Sequence, residues 1–451
     1  MYPDRLEIVP LTKPPQTTVR VPGSKSITNR ALVLAALQSW MRDCTLLGVL
    51  QSEDTEVMVQ GLRQLGFRVN AEWPTVRLEQ HEGDLPVPAP SADIFVANSG
   101  TTMRFLAALC ALGRGRYRLD GISRMRERPI EDLLTALRGM GVKAYSEYGN
   151  GCPPVIVESD GCLRGPGTRV RGDISSQFLS ALLMIAPFTD ATPLQIFVDG
   201  PLVSKPYVEM TLAMMSHWGA IWRVPPNGYE FSAVESMANF VRVDRYTIEP
   251  DASAASYFFA AGALTGGCVT VPDIPKKSLQ GDVRFIEVLE KMGCTIIRDD
   301  SGITVRGGPL HGIDVDMNDI SDTVMTLAAV ACFAEGPTTI RNVAHIRHKE
   351  TDRLAALAAE LRRVGAEVTE FADGLTITPR PLHGAEIETY NDHRMAMSMA
   401  LIGLRVPGIV IKNPGCVAKT YPHFFADLER LREEGSPQRH EGHKGYKGEK
   451  P

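Results

Sequence analysis

Arginine residues recur at the starts of segments that otherwise have the composition of buried helices. Arg30, Arg104 and Arg394 each fall within about the first turn of an Ala/Leu/Met-rich stretch. A helix N-terminus carries unpaired N–H groups and a partial positive charge, so a cation there destabilises the helix unless an anion is close. That anion is either a ligand shared by the arginines or a nearby Asp in a buried ion pair.

Hydroxyl, amide and further charged groups accompany these arginines. At the helix starts they are Lys25 and Ser26, the segment 98–102, Ser175, Ser176 and Gln177, Asp322, and the segment 391–394. For Ser175 and Asp322, helix capping alone is the competing interpretation. Elsewhere, SRMRERPIEDL, IRHKETDRL and CVAKTYP contain Arg128, Lys349, Glu350, Arg353 and Lys419. Glu350 and Arg353 are three residues apart, so they share a face if a helix begins there.

A periodic framework must position these residues. Six apolar stretches, aligned at Ser26, Thr101, Ser176, Ala252, Asp322 and Asp392, recur every 70–76 residues. In step with them, an amphipathic helix, a glycine and a short strand recur at Gly66, Gly141, Gly219, Gly293 and Gly365, as expected for helix C-caps. Each unit therefore should hold two helices and several short strands. A passive solenoid is the alternative that the period alone leaves open.

Six such units exceed one hydrophobic core, so two domains of three units are expected. We predict a first domain at 24–243 and a second at 1–23 plus 244–435, in which the segment 5–21 completes the last unit. The chain would then cross between domains near Pro22–Gly23 and Arg242–Tyr246. Residues 436–451 are predicted to be a disordered tail, because they are polar and contain few apolar groups.

The composition narrows the class of protein. The chain has 451 residues, 44% hydrophobic and 22% charged, with a net charge of −5, which argues against a nucleic-acid partner. Its eight cysteines form no C-x-x-C pair and no zinc-binding spacing, so we expect reduced cysteines and no metal. Without a signal-like start or an 18-residue apolar run, a cytoplasmic protein that does not enter a membrane is expected.

The motifs, taken in order, resemble those of the 5-enolpyruvylshikimate-3-phosphate synthase family. They are PGSKSITNRAL, NSGTTMR, RMRERPI, SSQFLSALL, LVSKPYVEMTL, KETDRL, NDHRMAM and AKTYP, from residue 22 to 422. The resemblance implies an α/β fold, a two-domain inside-out α/β barrel with three βαβαββ repeats in each domain and the active site in the interdomain cleft. SSQF and RERP are similar to the glyphosate-sensitive branch of the family.

The resemblance also implies a reaction. The enolpyruvyl group of phosphoenolpyruvate would be transferred to the 5-hydroxyl of shikimate 3-phosphate, with release of phosphate, by addition–elimination through a tetrahedral intermediate in aromatic amino-acid biosynthesis. No cofactor is implied. The implied partners are the two small-molecule substrates, with neither nucleic acid nor membrane, and a monomer is expected.

The same resemblance implies roles for individual residues. The catalytic groups would be Lys25, Asp322 and Glu350. The residues that bind shikimate 3-phosphate would be Ser26, Arg30, Ser175, Ser176, Gln177, Ser204, Tyr207, Asp322, His345 and Lys349. Those that bind phosphoenolpyruvate would be Lys25, Gly100, Arg128, Gln177, Arg353, Arg394 and Lys419. Two positions depart from the family pattern: Phe105, where proline is frequent, and His345, where asparagine is frequent.

This chemistry requires the residue types that are present. A base must accept the hydroxyl proton and an acid must protonate the methylene carbon, which suits Asp322 and Glu350. Two phosphates and two carboxylates in one dry pocket require a cluster of Arg and Lys. Since the groups come from both halves of the chain, we expect the site between the domains and closure upon substrate binding.

Two alternatives differ from this prediction in their sequence features. The UDP-N-acetylglucosamine enolpyruvyl transferases typically have a Lys-Asn pair where this chain has Lys25-Ser26. They also usually carry a cysteine in the loop that corresponds to GISRMRERP, which has none. A non-catalytic metabolite-binding protein on the same fold would be expected to lose Lys25, Asp322 or Glu350.

Overall fold

The computed structural model describes residues 2–165, 167–189, 194–224, 230–233 and 243–432. Its α-helices in these ranges are α1 (Lys25–Ser39), α2 (Glu53–Gln64), α3 (Gly100–Leu109), α4 (Glu131–Gly139), α5 (Ser176–Ile185), α6 (Lys205–His217), α7 (Ala252–Thr265), α8 (Phe285–Lys291), α9 (Val324–Ala331), α10 (Arg353–Arg363), α11 (His393–Gly403) and α12 (Phe424–Glu429). The predicted tail at 436–451 lies outside the described residues.

The strands of the same ranges are short. They are β1 (Arg5–Ile8), β2 (Gln16–Thr18), β3 (Cys44–Leu47), β4 (Arg68–Glu72), β5 (Thr75–Glu79), β6 (Ser91–Phe95), β7 (Arg114–Asp120), β8 (Lys143–Ser146), β9 (Val155–Asp160), β10 (Gly167–Arg171), β11 (Gln195–Asp199), β12 (Trp222–Arg223), β13 (Glu230–Ala233), β14 (Arg245–Thr247), β15 (Cys268–Val271), β16 (Thr295–Asp299), β17 (Gly302–Arg306), β18 (Asp314–Asp316), β19 (Thr338–Arg341), β20 (Glu367–Phe371), β21 (Gly374–Thr378), β22 (Ala385–Ile387) and β23 (Ile409–Lys412).

Six sheets repeat one topology. Five of them have four strands, in the orders β14-β3-β5-β4, β6-β7-β9-β8, β10-β11-β13-β12, β2-β15-β17-β16 and β18-β19-β21-β20. In each, the first pair is parallel and the next two pairs are antiparallel. In the sixth sheet, β22 and β23 are parallel and β1 of the N-terminal segment pairs antiparallel with β23. The period of the sequence thus corresponds to six units of one design.

Each unit has an inner and an outer helix. The inner helices α1, α3, α5, α7, α9 and α11 are buried over most of their length, as expected for helices that are apolar on all sides. The outer helices that end just before one of the patterned glycines, α2, α4, α6, α8 and α10, are amphipathic. The five glycines predicted as C-caps all have positive φ angles, between 83° and 109°, which glycine adopts without steric cost.

The buried apolar residues form two separate clusters. One extends from Ile27 to Ile248, and the other contains Ile8, Val19 and residues from Ala254 to Leu431. The two passages of the chain between them lie side by side, because Ser24 N–H donates to Glu249 O at 2.8 Å. The second passage was predicted at Arg242–Tyr246, but the parallel pairing of β14 with β3 keeps the chain beside the first cluster up to Thr247.

Of the helices in the described ranges, none combines the length and apolar character needed to cross a membrane.

Candidate active site

The starts of inner helices from both clusters face a common polar space. Lys25 and Gly100 open α1 and α3, and Arg394 is the second residue of α11. Between them lies a narrow cavity, lined by Lys25, Asp54, Gly100, Thr101, Arg128, Gln177, Asp322, Lys349, Glu350, Arg353 and Arg394. Nine of the predicted residues therefore line one small cavity with groups from both halves of the chain.

Asp322 is held by two arginines rather than acting as a helix cap. It lies in a 3-10 turn, Asn318–Thr323, that precedes α9. Arg394 Nη2 is 2.6 Å from Asp322 Oδ2, and Arg353 Nη1 is 3.3 Å from Oδ1. Burial raises the pKa of this carboxyl, but the charges of Arg394 and Lys349 outweigh burial and hold the pKa well below its usual range. The ion-pair alternative therefore applies to Arg394.

Glu350 sits in a similar cationic environment. Its carboxylate accepts a bond of 2.8 Å from Arg353 Nη2 and lies 3.8 Å from Lys419 Nζ. The two side chains do pair, as their spacing suggested, but not on a helical face, because α10 begins at Arg353 and Glu350 lies before its N-cap, Asp352. Burial opposes ionisation of Glu350, but the charges of Arg353 and Arg128 outweigh it and hold the pKa well below normal.

Two further buried carboxylates were missed by sequence reasoning. Asp392 caps α11 through the Arg394 N–H and accepts a bond of 2.8 Å from Arg353 Nε. Asp54 accepts a bond of 2.7 Å from Lys419 Nζ and lies 3.5 Å from Lys25 Nζ. Asp54 stands in the first turn of α2, where an acidic residue is explained by the helix dipole alone. The NDHR motif did include Asp392, but only as a polar residue at a helix start.

Arg104 and Arg128 form a pair of buried cations, and no carboxylate of the described residues is bound to either. Arg128 Nη1 donates to Asn98 O at 3.0 Å, and Arg104 Nη2 donates to Pro129 O at 3.1 Å. In the described ranges, Nε and Nη1 of Arg104 and Nε of Arg128 have no hydrogen-bond partner. Burial and the charge of Arg128 lower the pKa of Arg104 well below its usual value. The ion-pair alternative fails here, and the pair has room for an external anion.

Arg30 is bound only by uncharged groups in the described part of the chain. Its Nε donates to Thr211 Oγ1 at 2.7 Å, and its Nη2 donates to Tyr207 O at 3.0 Å. The ring of Phe105 lies 5.3 Å from its guanidinium carbon, within the range of a cation–π contact. Burial lowers the pKa of Arg30 to about 10, so it stays charged at neutral pH. A buried cation without a counter-charge favours an anionic ligand.

The remaining predicted residues surround the same region. A second, adjacent cavity is lined by Arg104, Arg128, Pro129, Ile174, Ser175, Gln177, Phe178, His345, His348 and Lys349. Ser176 is buried at the start of α5, and Ser26 faces a neighbouring cavity with Lys25 and Arg394. Ser175 caps α5, since its Oγ accepts from the Gln177 N–H at 3.3 Å, and it also lines the second cavity.

Ser204, Tyr207 and His345 connect the two halves of the chain. Ser204 Oγ lies 3.2 Å from His345 Nε2. The hydroxyl of Tyr207 donates to Asp282 Oδ2 at 3.0 Å, and Asp282 is a third acid that sequence reasoning missed. Burial and the charge of Lys349 lower the pKa of His345 to about 3, so its ring is neutral. Burial also lowers the pKa of Lys349 to about 8.

The chain is similar to known proteins along nearly its whole length. The family described as EPSP synthase (3-phosphoshikimate 1-carboxyvinyltransferase) matches residues 11–428. A 3-phosphoshikimate 1-carboxyvinyltransferase of Nostoc punctiforme is 49% identical over 436 residues, which is 96% of this chain and 100% of the relative. A solved EPSP synthase of Acinetobacter baumannii has a TM-score of 0.78 at 25% identity, over 95% of this chain and 98% of that chain.

A more distant protein has the same fold. The enolpyruvyl transferase NikO of Streptomyces tendae is 18% identical and has a TM-score of 0.71, over 95% of this chain and 97% of that chain.

Proposed function

We infer the roles of the site residues from one premise: the chain belongs to the EPSP synthase family. It is a transferase that moves the enolpyruvyl group of phosphoenolpyruvate to shikimate 3-phosphate in the shikimate pathway of aromatic amino-acid biosynthesis. Its fold is the mixed α/β, two-domain fold of the solved EPSP synthases. The observation that carries the assignment of roles is the convergence of Asp322, Glu350 and six Arg or Lys side chains on one cavity and its walls.

We propose that phosphoenolpyruvate binds between Arg128, Arg353, Arg394 and Lys419, with Lys25, Gly100 and Gln177 beside it. Two features support this placement. Arg128 retains a buried N–H that has no partner among the described residues, and a phosphate or carboxylate would satisfy it with a charge-assisted bond. Arg353 and Arg394 already hold carboxylates of the protein, so the substrate would share or replace these partners.

We propose that shikimate 3-phosphate binds to Ser26, Arg30, Ser175, Ser176, Gln177, Ser204, Tyr207, Asp322, His345 and Lys349. Arg30 supports this proposal because it is buried and charged and bonds only neutral acceptors in the described ranges. Lys349 and the hydroxyls at the start of α5 offer the donors that a phosphate requires.

For the chemistry, we propose Asp322 as the base toward the substrate hydroxyl and Glu350 as the acid toward the methylene carbon, with Lys25 assisting. The surrounding cations keep the pKa of both carboxyls low before substrate binds. Bound phosphates and carboxylates would neutralise those cations, which raises both pKa values toward the range useful for proton transfer. The substrate charges thus prepare the acid and the base in the same event.

The test is product formation from phosphoenolpyruvate with shikimate 3-phosphate, and with UDP-N-acetylglucosamine as the competing acceptor. We expect enolpyruvyl product and phosphate in equal amounts with the first acceptor and none with the second. Product with UDP-N-acetylglucosamine alone would overturn the assignment.

We propose three further properties of the protein: its domain motion, its oligomeric state and location, and its inhibition. We propose that the two apolar clusters correspond to the domains predicted from the sequence, which close upon substrate binding. We propose a monomer in the cytoplasm, to be checked by size-exclusion chromatography with light scattering. We propose inhibition by glyphosate, since the SSQF and RERP motifs are similar to the glyphosate-sensitive branch of the family, to be checked by steady-state inhibition.

A further inference from the structure

Asp282 is a buried acid at the edge of the site to which the roles above give no task. It lies in a 3-10 turn, Gly281–Arg284, and only 3% of it is exposed. Its Oδ2 accepts hydrogen bonds from the hydroxyls of Ser253 and Tyr207, while its Oδ1 has no partner in the described ranges. Nor does any cation of these ranges form an ion pair with it. A buried carboxylate with so little compensation is costly to the fold, which calls for a functional reason.

The hydroxyl of Tyr207 connects Asp282 to Asp322. Tyr207 Oη lies 3.0 Å from Asp282 Oδ2 and 3.4 Å from Asp322 Oδ2. A phenol has one proton to donate, and the shorter distance assigns it to Asp282. The lone pairs of Tyr207 Oη are then left for Asp322, which already receives a bond of 2.6 Å from Arg394.

We propose that Asp282 is a positioning residue for Asp322: it holds the proton of Tyr207 away from Asp322, so that the phenol oxygen is free to accept a hydrogen bond when Asp322 becomes protonated. The inference rests on the proposed role of Asp322 as base. It adds to that role a reason why a carboxylate surrounded by arginines still takes up a proton.

The proton balance is simple. In the addition step, the O–H bond of the substrate hydroxyl breaks and its electron pair forms the bond to C2 of phosphoenolpyruvate. The proton moves to Asp322, while the π pair between C2 and the methylene carbon takes a proton from protonated Glu350, which becomes ionised. Protonated Asp322 then donates to Tyr207 Oη, and Tyr207 continues to donate to Asp282, whose charge does not change. Without Asp282, Tyr207 would turn its proton toward ionised Asp322 and make Asp322 a weaker base.

The charges around Asp282 agree with this arrangement. The groups that face it are Tyr207 of α6, Asp322, and Arg394 of α11, while Arg284 and Asp319 pair with each other at the surface. Burial, and next the charge of Asp322, raise the pKa of Asp282 to about 6. Asp282 is therefore ionised at neutral pH and becomes protonated in mildly acidic solution.

The test compares kcat at saturating substrates in the parent, Asp282→Leu and Asp282→Asn. Leucine removes both the acceptor and the charge, and we expect kcat to fall on the order of 10-fold, with both KM values within about twofold of the parent. Asparagine keeps an acceptor for Tyr207, and we expect kcat within about threefold of the parent. The matched control is Asp319→Leu, a nearby acid that is half exposed, which should leave kcat unchanged.

Two further readouts separate this role from a merely structural one. In a Tyr207→Phe background, Asp282→Leu should lower kcat by less than about twofold, because the connecting hydroxyl is absent. Below about pH 6 protonated Asp282 still offers a carbonyl oxygen to Tyr207, so the parent and Asp282→Asn should keep kcat within about threefold of each other, while Asp282→Leu stays lower.

The outcomes are distinct. A kcat of Asp282→Leu within twofold of the parent, or an undiminished effect in the Tyr207→Phe background, would overturn the proposal. If Asp282→Leu fails to fold in a thermal unfolding check, Asp282→Asn decides it, since a kcat more than about 10-fold below that of the parent, despite the retained acceptor, would equally overturn it. A parent that forms no product would instead contradict the proposed function.

Discussion

Replacement of Gly100 by alanine tests how the phosphoenolpyruvate side of the site is built. A Cβ at this position would lie 2.5 Å from Arg128 Nη2 and 2.9 Å from Arg128 Cζ, and closer still to Arg104 Nη1. Ordinary contacts between such atoms need about 3.5 Å, so the guanidinium of Arg128 must withdraw by roughly 1 Å. The sequence predicted Gly100 for close approach of the substrate, and the structure adds that two buried arginines already occupy this space.

The size of the expected change in KM follows from the loss of the hydrogen bond that Arg128 would donate to phosphoenolpyruvate. A hydrogen bond to a charged group contributes about 1.5–3 kcal/mol, and a displacement of roughly 1 Å removes it. We therefore expect the KM for phosphoenolpyruvate to rise about 10-fold to 100-fold in Gly100→Ala. The KM for shikimate 3-phosphate should stay within about twofold, since Arg30 and Lys349 are not displaced.

The assay is steady-state phosphate release with each substrate varied at saturation of the other. Gly415→Ala is the matched control, because its Cβ would meet only Asn413 Oδ1 at 3.9 Å, and we expect both KM values to be unchanged. A KM for phosphoenolpyruvate in Gly100→Ala within twofold of the parent would refute the packing argument.

Three other variants test separate parts of the site. Lys349, with its pKa near 8, loses its charge as the pH rises. The kcat/KM for shikimate 3-phosphate should therefore fall above about pH 8 in the parent and stay constant in Lys349→Arg. Equal pH profiles of the two enzymes would contradict this. Phe105→Leu removes the ring against Arg30 and should raise the KM for shikimate 3-phosphate about twofold to fivefold; a change confined to the KM for phosphoenolpyruvate would contradict it. Asp54→Asn removes one of the carboxylates that pair with Lys419. It should lower the free energy of unfolding by about 3 kcal/mol, measured by urea titration. An unchanged free energy of unfolding would contradict a stabilising Asp54–Lys419 ion pair.

The framework of the fold could be predicted because it repeats. Six similar helix starts and five glycines in step with them indicate the units before any contact is known. The pairing of β14 with β3 could not be predicted, since the two strands are distant in the chain and three residues of β14 carry no distinctive pattern. That pairing is why the second passage between the apolar clusters lies later than expected.

The prediction of the site had two sources. Arginines in the first turn of apolar helices indicated anions, whereas the resemblance to a known family supplied the roles of individual residues. Several residues from both sources line common cavities. Asp54 and Asp282 escaped notice because each is ordinary in its local context. Asp54 looks like a first-turn acid of α2, and Asp282 looks like a surface acid near a helix start; only the tertiary fold brings them to Lys419 and Tyr207.

The central claim is that Asp322 and Glu350 transfer the protons of this reaction. The most direct measurement is phosphate release in a single turnover, with both substrates bound, in the parent, Asp322→Asn and Glu350→Gln. We expect each variant to be slower by about 100-fold or more, since both proton transfers occur before phosphate leaves. Release at the parent rate in either variant would contradict the assignment of that residue.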